Sequence, residues 1–484
     1  MKGVDVLICA KGQRCPLKGQ QQNERTNSCQ PSLFRLAMSL KVRERLAYGA
    51  GDFACNLYWQ SISLFLLFFY TDVYGLNAAT AGAVLVAARV TDALWDLFLG
   101  WAIDRTRTRW GSTRPYLLFA PPLLALTGWL AFTVPEIGAT GKVVYAYTTY
   151  IALMLSYSLV NIPHSSMPAL LSADPAERTR LAEYRMFMAF AGGLLVAAAT
   201  LPLVEFLGQG NKALGYQRTV LCIGFVSTLL LWGCFAGTKE QVTQQQEAPK
   251  LREALAALMA SRTWWTMIGA SLLQFTAFAL PLGVGIYFIS YVVGQPGWAS
   301  GYFVIGKVGQ LIGVLVSSQL TRRWCKRNVV VWTTLLTVAA LLMLHIMPLD
   351  SRPYLYGWIF VVSLFGAIKI PVIWSMVADT ADDVERQTGR HVVGMATSSV
   401  VFSQKMGIAV GAGIAGLILS QTNYVAGGEF TAMARQGILL MVGALPALLY
   451  LLMAGFYLLY PLDRAALQVM HAELQARRKT HDGH

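Results

Sequence analysis

Long apolar stretches separated by short polar loops repeat along the chain from residue 49 to residue 460. Each stretch has roughly the 20 apolar residues that a helix needs to cross the hydrocarbon core of a bilayer, so the pattern predicts membrane-spanning helices. Twelve spans are predicted, at residues 49–70, 79–103, 115–134, 143–166, 185–207, 219–237, 264–293, 300–320, 329–348, 354–378, 393–420 and 436–460. The predicted fold class is an all-α membrane protein with twelve transmembrane helices.

A polar stretch divides these spans into two sets of six. Residues 238–263 are predicted to form a cytoplasmic linker, whose amphipathic helix at 251–259 lies on the membrane surface. The two six-helix halves and the polar tails are placed at residues 46–237, 264–460, 1–45 and 461–484. Met38 stands shortly before the first span, so a start codon assigned too early would explain the polar residues that precede it.

Composition excludes most soluble classes. Hydrophobic residues make up 55% of the chain and charged residues only 13%, whereas a soluble domain has roughly a quarter charged residues. The net charge of +14 sits in loops rather than on one polar domain, so we expect no nucleic-acid partner. The sequence has no CxxC pair, phosphate-binding GxxxxGK[ST] loop, HExxH or GxSxG, so we expect no enzyme, no metal centre and no cofactor.

Lys and Arg residues are concentrated in alternate loops. One side holds Lys142, Lys212, Arg218, Arg352 and Arg435. The other side holds the basic segments at residues 41–45, 105–114, 178–180, 239–262, 322–327 and 386–390 together with the C-terminal tail. Because short cytoplasmic loops retain positive charge, both termini are predicted to be cytoplasmic, in a multi-pass protein of the cytoplasmic (inner) membrane. The loops after the second and eighth spans are both basic, which indicates either a weak internal repeat or this charge bias alone.

Seven of the ionisable side chains inside the predicted spans are informative. They are Asp52, Arg89, Asp92, Asp96, Lys307, Lys369 and Lys405. Each costs about 3 kcal/mol at the centre of a bilayer, so these groups must face one another, water or a ligand. They predict a polar path through the interior.

Arg89, Asp92 and Asp96 are spaced i, i+3 and i+7, which places them on one face of the second helix. One arginine neutralises only one aspartate, so the other carboxylate is either protonated or holding a cation. This spacing predicts a coupling-ion site. The alternative is a structural ion-pair cluster completed by Lys405 or Lys307.

A second polar set occurs on the first and fourth spans. Asp52 and Asn56 precede Trp59, and Tyr157, Ser158 and Asn161 lie together. Carboxylate, amide, hydroxyl and ring groups on facing helices suit a polyhydroxylated ligand. Hydrogen bonding between helices is the alternative.

Three further features lie outside these two polar sets. Trp374 on the tenth span is expected to line the cavity or to serve packing, and His164 is expected at a helix end. The acidic residues after the tenth span, 379–385, are expected to form a solvated loop that pairs with the basic loops or latches the halves.

Several motifs together resemble the glycoside-pentoside-hexuronide:cation symporters, a family of the major facilitator superfamily that includes melibiose permease. The segments are YGAGDFACN (48–56), FFYTDVYGL (68–76), ARVTDALWDLFLGWAIDRTRTRWGSTRPY (88–116), NIPHSSMPALLSADPAERTRL (161–181), VADTADDVERQTGRH (377–391) and FSQKMG (402–407). The resemblance implies the major facilitator fold and uptake of a sugar, glycoside, pentoside or hexuronide coupled to a proton, sodium or lithium ion.

The resemblance also implies roles for individual residues. Asp92 and Asp96 match the cation-binding carboxylates, which would also be the sodium ligands if sodium is the coupling ion, and Arg89 matches the arginine beside them. Lys405 matches the lysine that links the cation and sugar sites, and Ser158 matches a candidate cation ligand. The implied substrate-binding residues are Asp52, Asn56, Tyr157, Asn161, Arg185 and Trp374. Of these, Asn56 and Asn161 replace aspartates of melibiose permease, which argues against galactoside recognition.

We therefore expect a secondary active transporter that works by alternating access, as a monomer in the bilayer, with a sugar or glycoside and a coupling cation as its partners. A proton is preferred to sodium because sodium needs about six oxygen ligands whereas a proton needs one carboxylate. The alternatives are a carrier of a lipid or drug-like amphipathic molecule, and a sensor that does not transport.

Overall fold

The computed structural model describes residues 40–172, 175–240, 256–388, 393–424, 430–470 and 473. In these residues the chain is almost entirely helical. The helices are α1 (Val42–Phe68), α2 (Ala78–Arg105), α3 (Arg114–Ala131), α4 (Ala139–Leu171), α5 (Pro175–Gly208), α6 (Lys212–Gly237), α7 (Arg262–Tyr287), α8 (Ala299–Arg323), α9 (Lys326–Leu342), α10 (Arg352–Thr388), α11 (Val393–Gln421), α12 (Ala432–Val442) and α13 (Ala444–Leu458). Helices α12 and α13 are two parts of one span, broken at Gly443, so the twelve predicted transmembrane helices are confirmed.

Ten spans among the described residues are long and apolar enough by themselves to cross a membrane. The other two are α2, which carries three charged residues near its centre, and α3, which has 18 residues and an internal Pro121–Pro122 pair. Both pack inside the bundle, α2 against α4 and α3 against α4 and α6. Neighbouring helices therefore supply the partners that α2 would lack in lipid.

The two halves have the same internal arrangement. In the N-terminal half α1 packs on α5 and α6, and in the C-terminal half α7 packs on α11 and α13. The halves meet along three helix pairs, α2 with α11, α5 with α8, and α1 with α7. Each helix has a counterpart six spans away, so that α1 corresponds to α7, α2 to α8 and α5 to α11. Exchanging counterparts turns the pair of α2 and α11 into the pair of α8 and α5, and it leaves the pair of α1 and α7 unchanged. The interface is therefore two-fold pseudosymmetric.

Several helices are longer than their predicted spans. Helix α1 begins at Val42, within the predicted tail, and α10 continues to Thr388, so the acidic residues at 379–385 form helical turns and not the expected loop. Asp379 and Asp383 are buried there, and Lys326 donates to Asp379 at 2.7 Å. The predicted pairing of acidic and basic segments thus occurs, but between two helix ends.

The linker and the tails are described only in part. Residues 1–39, 241–255 and most of the C-terminal tail lie outside the described residues. Residues 256–259 are helical, and Leu258 is completely buried in a small core with Trp264, Ala381 and Val384. The described end of the predicted surface helix therefore packs against the C-terminal half through Leu258.

Candidate functional site

Two aspartates of α2 meet a lysine from the opposite half of the protein. Lys405 of α11 donates from Nζ to Asp92 Oδ2 at 2.9 Å and also donates to Asp96. Ser158 of α4 donates to Asp92 Oδ1 at 2.5 Å. We call these four residues the carboxylate cluster. With both aspartates ionised, one lysine leaves the cluster with one uncompensated negative charge, and Asp96 Oδ1 has no hydrogen-bond partner among the described residues.

Small residues bring α2 and α11 close enough for this contact. A Cβ added to Gly82 would lie 2.9 Å from the Cα of Gly416, and one added to Gly413 would lie 3.0 Å from Val86 Cγ2. Glycine at these points lets the two backbones approach, as small residues do in membrane bundles. The close approach holds the lysine of one half against the carboxylates of the other.

Arg89 does not form an ion pair with either aspartate in the part of the chain that the structure describes. Its guanidinium lies 4.4 Å from the ring centroid of Trp59, and the Nη1 atom has no hydrogen-bond partner there. Between the two lysines considered from the sequence, the structure places Lys405 in the cluster, whereas Lys307 lies inside the C-terminal half.

A second polar group surrounds Asp52 of α1, which is 4% exposed. Arg185 of α5 donates from Nε to Asp52 Oδ1 at 3.0 Å, and its Nη2 donates to Ser165 Oγ at 3.0 Å. Asn56 donates to the Asp52 backbone oxygen at 3.0 Å and to Oδ2 at 3.3 Å. We call Asp52, Asn56, Arg185 and Ser165 the Asp52 cluster. It joins α1, α4 and α5 within the N-terminal half.

His164 lies next to this cluster and corrects the expectation of a helix-end residue. It is fully buried within α4, seven residues before the helix ends. Its ring stacks on Tyr48 at 4.6 Å, and Nε2 lies 2.9 Å from the Tyr48 backbone oxygen. The Pro163 beside it does not end the helix because neighbouring helices cover this stretch. Gly51 leaves the space that the imidazole fills.

Aromatic rings connect the two clusters. Tyr157 precedes Ser158 on α4, and its ring centroid lies 6.0 Å from that of Trp59. The Arg89 guanidinium in turn lies over Trp59, so a layer of side chains in contact runs from Tyr157 through Trp59 to Arg89 on α2, the helix of Asp92 and Asp96. Asn161 is half-buried one turn beyond Tyr157. Trp374 is 37% exposed on α10 and makes no hydrogen bond or ring contact with these groups among the described residues.

A cavity lies between the halves beside this aromatic layer. Trp59, Arg89 and Tyr150 line it from the N-terminal half, and Phe278 and Ile408 are among the residues that line it from the C-terminal half. A ligand here would touch α1, α2, α4, α7 and α11 together. Apart from Trp374 and Asn161, the site residues predicted from the sequence thus lie in the two clusters or in the aromatic layer between them, and that layer borders the cavity between the halves. We call this cavity and the interface around it the passage.

The sequence reasoning missed Asp72, which joins the halves at one end of the interface. The hydroxyl of Tyr424 donates to Asp72 Oδ1 at 2.7 Å, and the hydroxyl of Tyr291 donates to the same oxygen. Next to it, the hydroxyls of Thr71 and Tyr287 lie 2.6 Å apart. These residues close that end of the passage, and we call them the closing contact.

An internal repeat could have revealed this contact. Helices α1 and α7 both end in a five-residue π-helix, Phe69–Val73 and Phe288–Val292, followed by a glycine with positive φ, Gly75 at 86° and Gly294 at 75°. The sequences FYTDVYG and FISYVVG align without gaps, which places Asp72 and Tyr291 at equivalent positions. Residues at equivalent positions of the first helix in each half face each other across a two-fold pseudoaxis.

Comparison with known proteins agrees with this architecture. The family described as MFS/sugar transport protein matches residues 47–464. The putative glycoside/cation symporter YagG of Escherichia coli is 32% identical over 441 residues, which cover 91% of this chain and 96% of that protein. The isoprimeverose transporter of Lactiplantibacillus pentosus is 33% identical, with 90% of this chain and 92% of that protein covered.

Solved structures agree on the fold. The inward-open conformation of the xylose transporter XylE from Escherichia coli superposes with a TM-score of 0.65 at 13% identity, covering 88% of this chain and 98% of that one. At this identity the likeness concerns the fold alone. It is the same arrangement of two six-helix halves.

Proposed function

The chain belongs to the family of MFS/sugar transport proteins, and on that basis we propose that it is a cation-coupled symporter of a sugar or glycoside. The two relatives named above are called a glycoside/cation symporter and an isoprimeverose transporter, and both align with this chain over nearly their whole length. The family consists of transporters, so the protein is not an enzyme.

The observation that carries the proposal is the ion pair between the halves. Lys405 reaches across the interface to Asp92 and Asp96, so the charge of the carboxylates and the position of the two halves depend on each other. A cation that neutralises the carboxylates removes the partners of Lys405 and weakens this link. Binding of the coupling ion is thereby tied to movement of one half against the other.

The Asp52 cluster supplies the groups that hold a sugar. Its carboxylate and amide oxygens accept hydrogen bonds from hydroxyls, while the Arg185 guanidinium and the Asn56 amide nitrogen donate them. The ring of Trp59 offers a face for the apolar CH groups of a sugar ring. Asp52 and Arg185 already hydrogen-bond to each other, so a sugar has to exchange its hydroxyls for this contact.

We favour a proton as the coupling ion. The ammonium of Lys405 occupies the position between Asp92 and Asp96 where a metal cation would sit. Sodium would have to displace it and find about six oxygen ligands, whereas a proton needs a single carboxylate oxygen. Asp96 Oδ1, which lacks a hydrogen-bond partner among the described residues, is the first candidate to receive it.

The charge of the loops orients the molecule. The N-terminal end of α1 carries Lys41, Arg43 and Arg45, so this end is placed in the cytoplasm, with both termini. Asp72 lies at the opposite end of α1, on the external side. In this proposed orientation the closing contact blocks the external side, which supports a state that is closed to the outside of the cytoplasmic membrane.

The test is uptake of radiolabelled xyloside, α- and β-galactoside, glucoside and glucuronide into right-side-out vesicles under an imposed pH or sodium gradient. We expect one sugar to accumulate with the pH gradient, and Asp96→Asn to abolish accumulation. Glu136→Gln, which removes an exposed acidic group outside the site, is the matched control and should transport normally. If no sugar accumulates under either gradient although the protein is verified in the membrane, sugar symport is wrong.

A further inference from the structure

The C-terminal half has an excess of positive charge inside the membrane. Its helices contain Lys307, Lys369 and Lys405, but no Asp or Glu before Asp379 near the end of α10. Lys405 is neutralised by the aspartates of the other half. Among the described residues the remaining two lysines therefore have no acidic partner within their own half, which is an expensive arrangement in a bilayer.

Neither of these two lysines forms an ion pair among the described residues. Lys307 is 8% exposed, and its Nζ donates only to Gln310 Oε1, at 3.3 Å. Lys369 is completely buried, and its Nζ has no hydrogen-bond partner in the described part of the chain. It lies 3.7 Å from the ring centroid of Tyr450, and an aromatic face is a weaker partner than an anion. A buried charge normally has a counter-charge, and the described residues supply none to these two lysines.

A cavity of about 110 Å³ lies between these groups, in the interior of the C-terminal half. Lys307 and Gln310 of α8 line one wall, and Tyr450, the ring against which Lys369 rests, lines another. Most of the remaining lining is apolar, including Trp358. An anion in this cavity would contact the Lys307 ammonium directly and would sit in the field of Lys369 across the Tyr450 ring.

This cavity adjoins the passage between the halves. Phe278 and Leu282 of α7 line both the C-terminal cavity and the cavity that contains Trp59 and Arg89. These two side chains are therefore the wall that the cavities share. A ligand held by its sugar ring at the Asp52 side could extend past them toward Lys307.

We propose that Lys307 binds an oxyanion on the transported solute, a carboxylate in the first instance, and that Lys369 strengthens this subsite through its charge. The inference rests on the proposed function, since it names the substrate class for the same passage. The solute is then a glycoside that carries a carboxylate, whose negative charge replaces the acidic side chain missing from the C-terminal half. Neutral glycosides of the same shape would leave both ammonium groups unpaired and would bind less well.

The test compares 4-nitrophenyl β-D-glucuronide with 4-nitrophenyl β-D-glucoside, which differ only in having a carboxylate or a hydroxymethyl group. Binding to the purified full-length protein is measured by titration calorimetry. We expect the wild type to bind the glucuronide at least about tenfold more tightly, as the loss of one charge-assisted hydrogen bond implies. Lys307→Gln should remove this preference and leave the affinity for the glucoside within about twofold.

Further variants separate charge from packing. Lys307→Arg keeps the positive charge and should keep the preference, Lys369→Met should reduce it less than Lys307→Gln, and Lys212→Met, at an exposed position, should not change it. Equal losses for both glycosides in Lys307→Gln would assign the lysine a purely structural role and overturn the proposal. A wild type without preference for the glucuronide would overturn it without any variant.

The two proposals fail in different ways. If the subsite is wrong but the symporter is right, neutral sugars still accumulate under an ion gradient while the glucuronide has no advantage in binding. If the symporter is wrong, no gradient drives accumulation of any sugar in the panel.

Discussion

The ion pair between the halves should contribute measurably to stability, and Lys405→Met removes it. The substitution leaves Asp92, which is 1% exposed, and Asp96 without their cationic partner. Removing one member of a buried ion pair costs about 3–5 kcal/mol. Because the Lys405 side chain is 17% exposed and so partly hydrated, we expect the lower end, about 3 kcal/mol.

A double-mutant cycle isolates the pairwise energy. Asp92→Asn alone should cost about 1 kcal/mol, because Lys405 keeps Asp96 and the amide oxygen can still accept from Ser158. In the double variant the side chain at position 92 is a neutral amide, which requires no cationic partner. The combined loss in the free energy of unfolding should therefore be about 2 kcal/mol smaller than the sum of the two single losses.

The free energies of unfolding are measured by titration with sodium dodecyl sulfate in mixed micelles, together with far-UV circular dichroism. Lys212→Met, at an exposed position, is the control and should lie within about 0.5 kcal/mol of the wild type. If the losses at Lys405 and Asp92 add to within about 0.5 kcal/mol, the two residues are not coupled, and the link between cation binding and the position of the halves loses its basis.

Three more predictions concern groups outside the two clusters. Asp72→Asn replaces charge-assisted hydrogen bonds from two tyrosine hydroxyls by neutral ones and should weaken the closing contact. A cysteine placed at Ser63, in the cavity between the halves, should then react about tenfold faster with an impermeant reagent added outside. An unchanged labelling rate would contradict the role of Asp72 in closure. Gly111→Ala should lower the melting temperature, because Gly111 has a φ of 110° and the Glu240 carboxylate fills the space that a Cβ would need. A loss of less than about 0.5 kcal/mol in the free energy of unfolding would contradict this prediction. Burial tends to raise the pKa of Glu240, but hydrogen bonds from the backbone and side chains of Ser112 and its neighbour lower this pKa overall. The stability that this carboxylate contributes is therefore present above its ordinary pKa of 4.5 and is lost as pH falls through the lowered value. Glu240→Gln should flatten the dependence of the melting temperature on pH between pH 6 and pH 3, and an unchanged dependence would exclude this carboxylate as the cause.

Much of the fold was predictable because the bilayer imposes strong local rules. The twelve spans followed from apolar stretches of sufficient length. Helix ends were less predictable, because they lie outside the hydrocarbon core, where apolar length no longer limits the helix. Helix α10 therefore runs through Asp379 and Asp383, whose buried carboxylates are satisfied by Lys326, Thr263 and other groups from neighbouring elements.

The candidate site divides in the same way. Helical spacing placed Asp92 and Asp96 on one face of α2, and the cost of charge in lipid required partners for them. The spacing suggested Arg89 as the partner within the helix, but the structure places the Arg89 guanidinium over Trp59 and gives Lys405 to the aspartates. Spacing in a sequence specifies which residues share a face, whereas the distance between helices decides which charges meet.

The sequence by itself determined the membrane-spanning architecture, the division into halves and the residue types available to the passage, because each follows from local hydropathy, loop charge and helical periodicity. Only the tertiary structure decided which side chains pair across the interface, as with Lys405 and Asp72, and which form no ion pair in the described part of the chain, as with Lys307 and Lys369. Those pairings depend on how closely helices more than 200 residues apart in the sequence approach each other. That approach is set by small residues such as Gly82 and Gly416 and by the pseudosymmetry of the two halves.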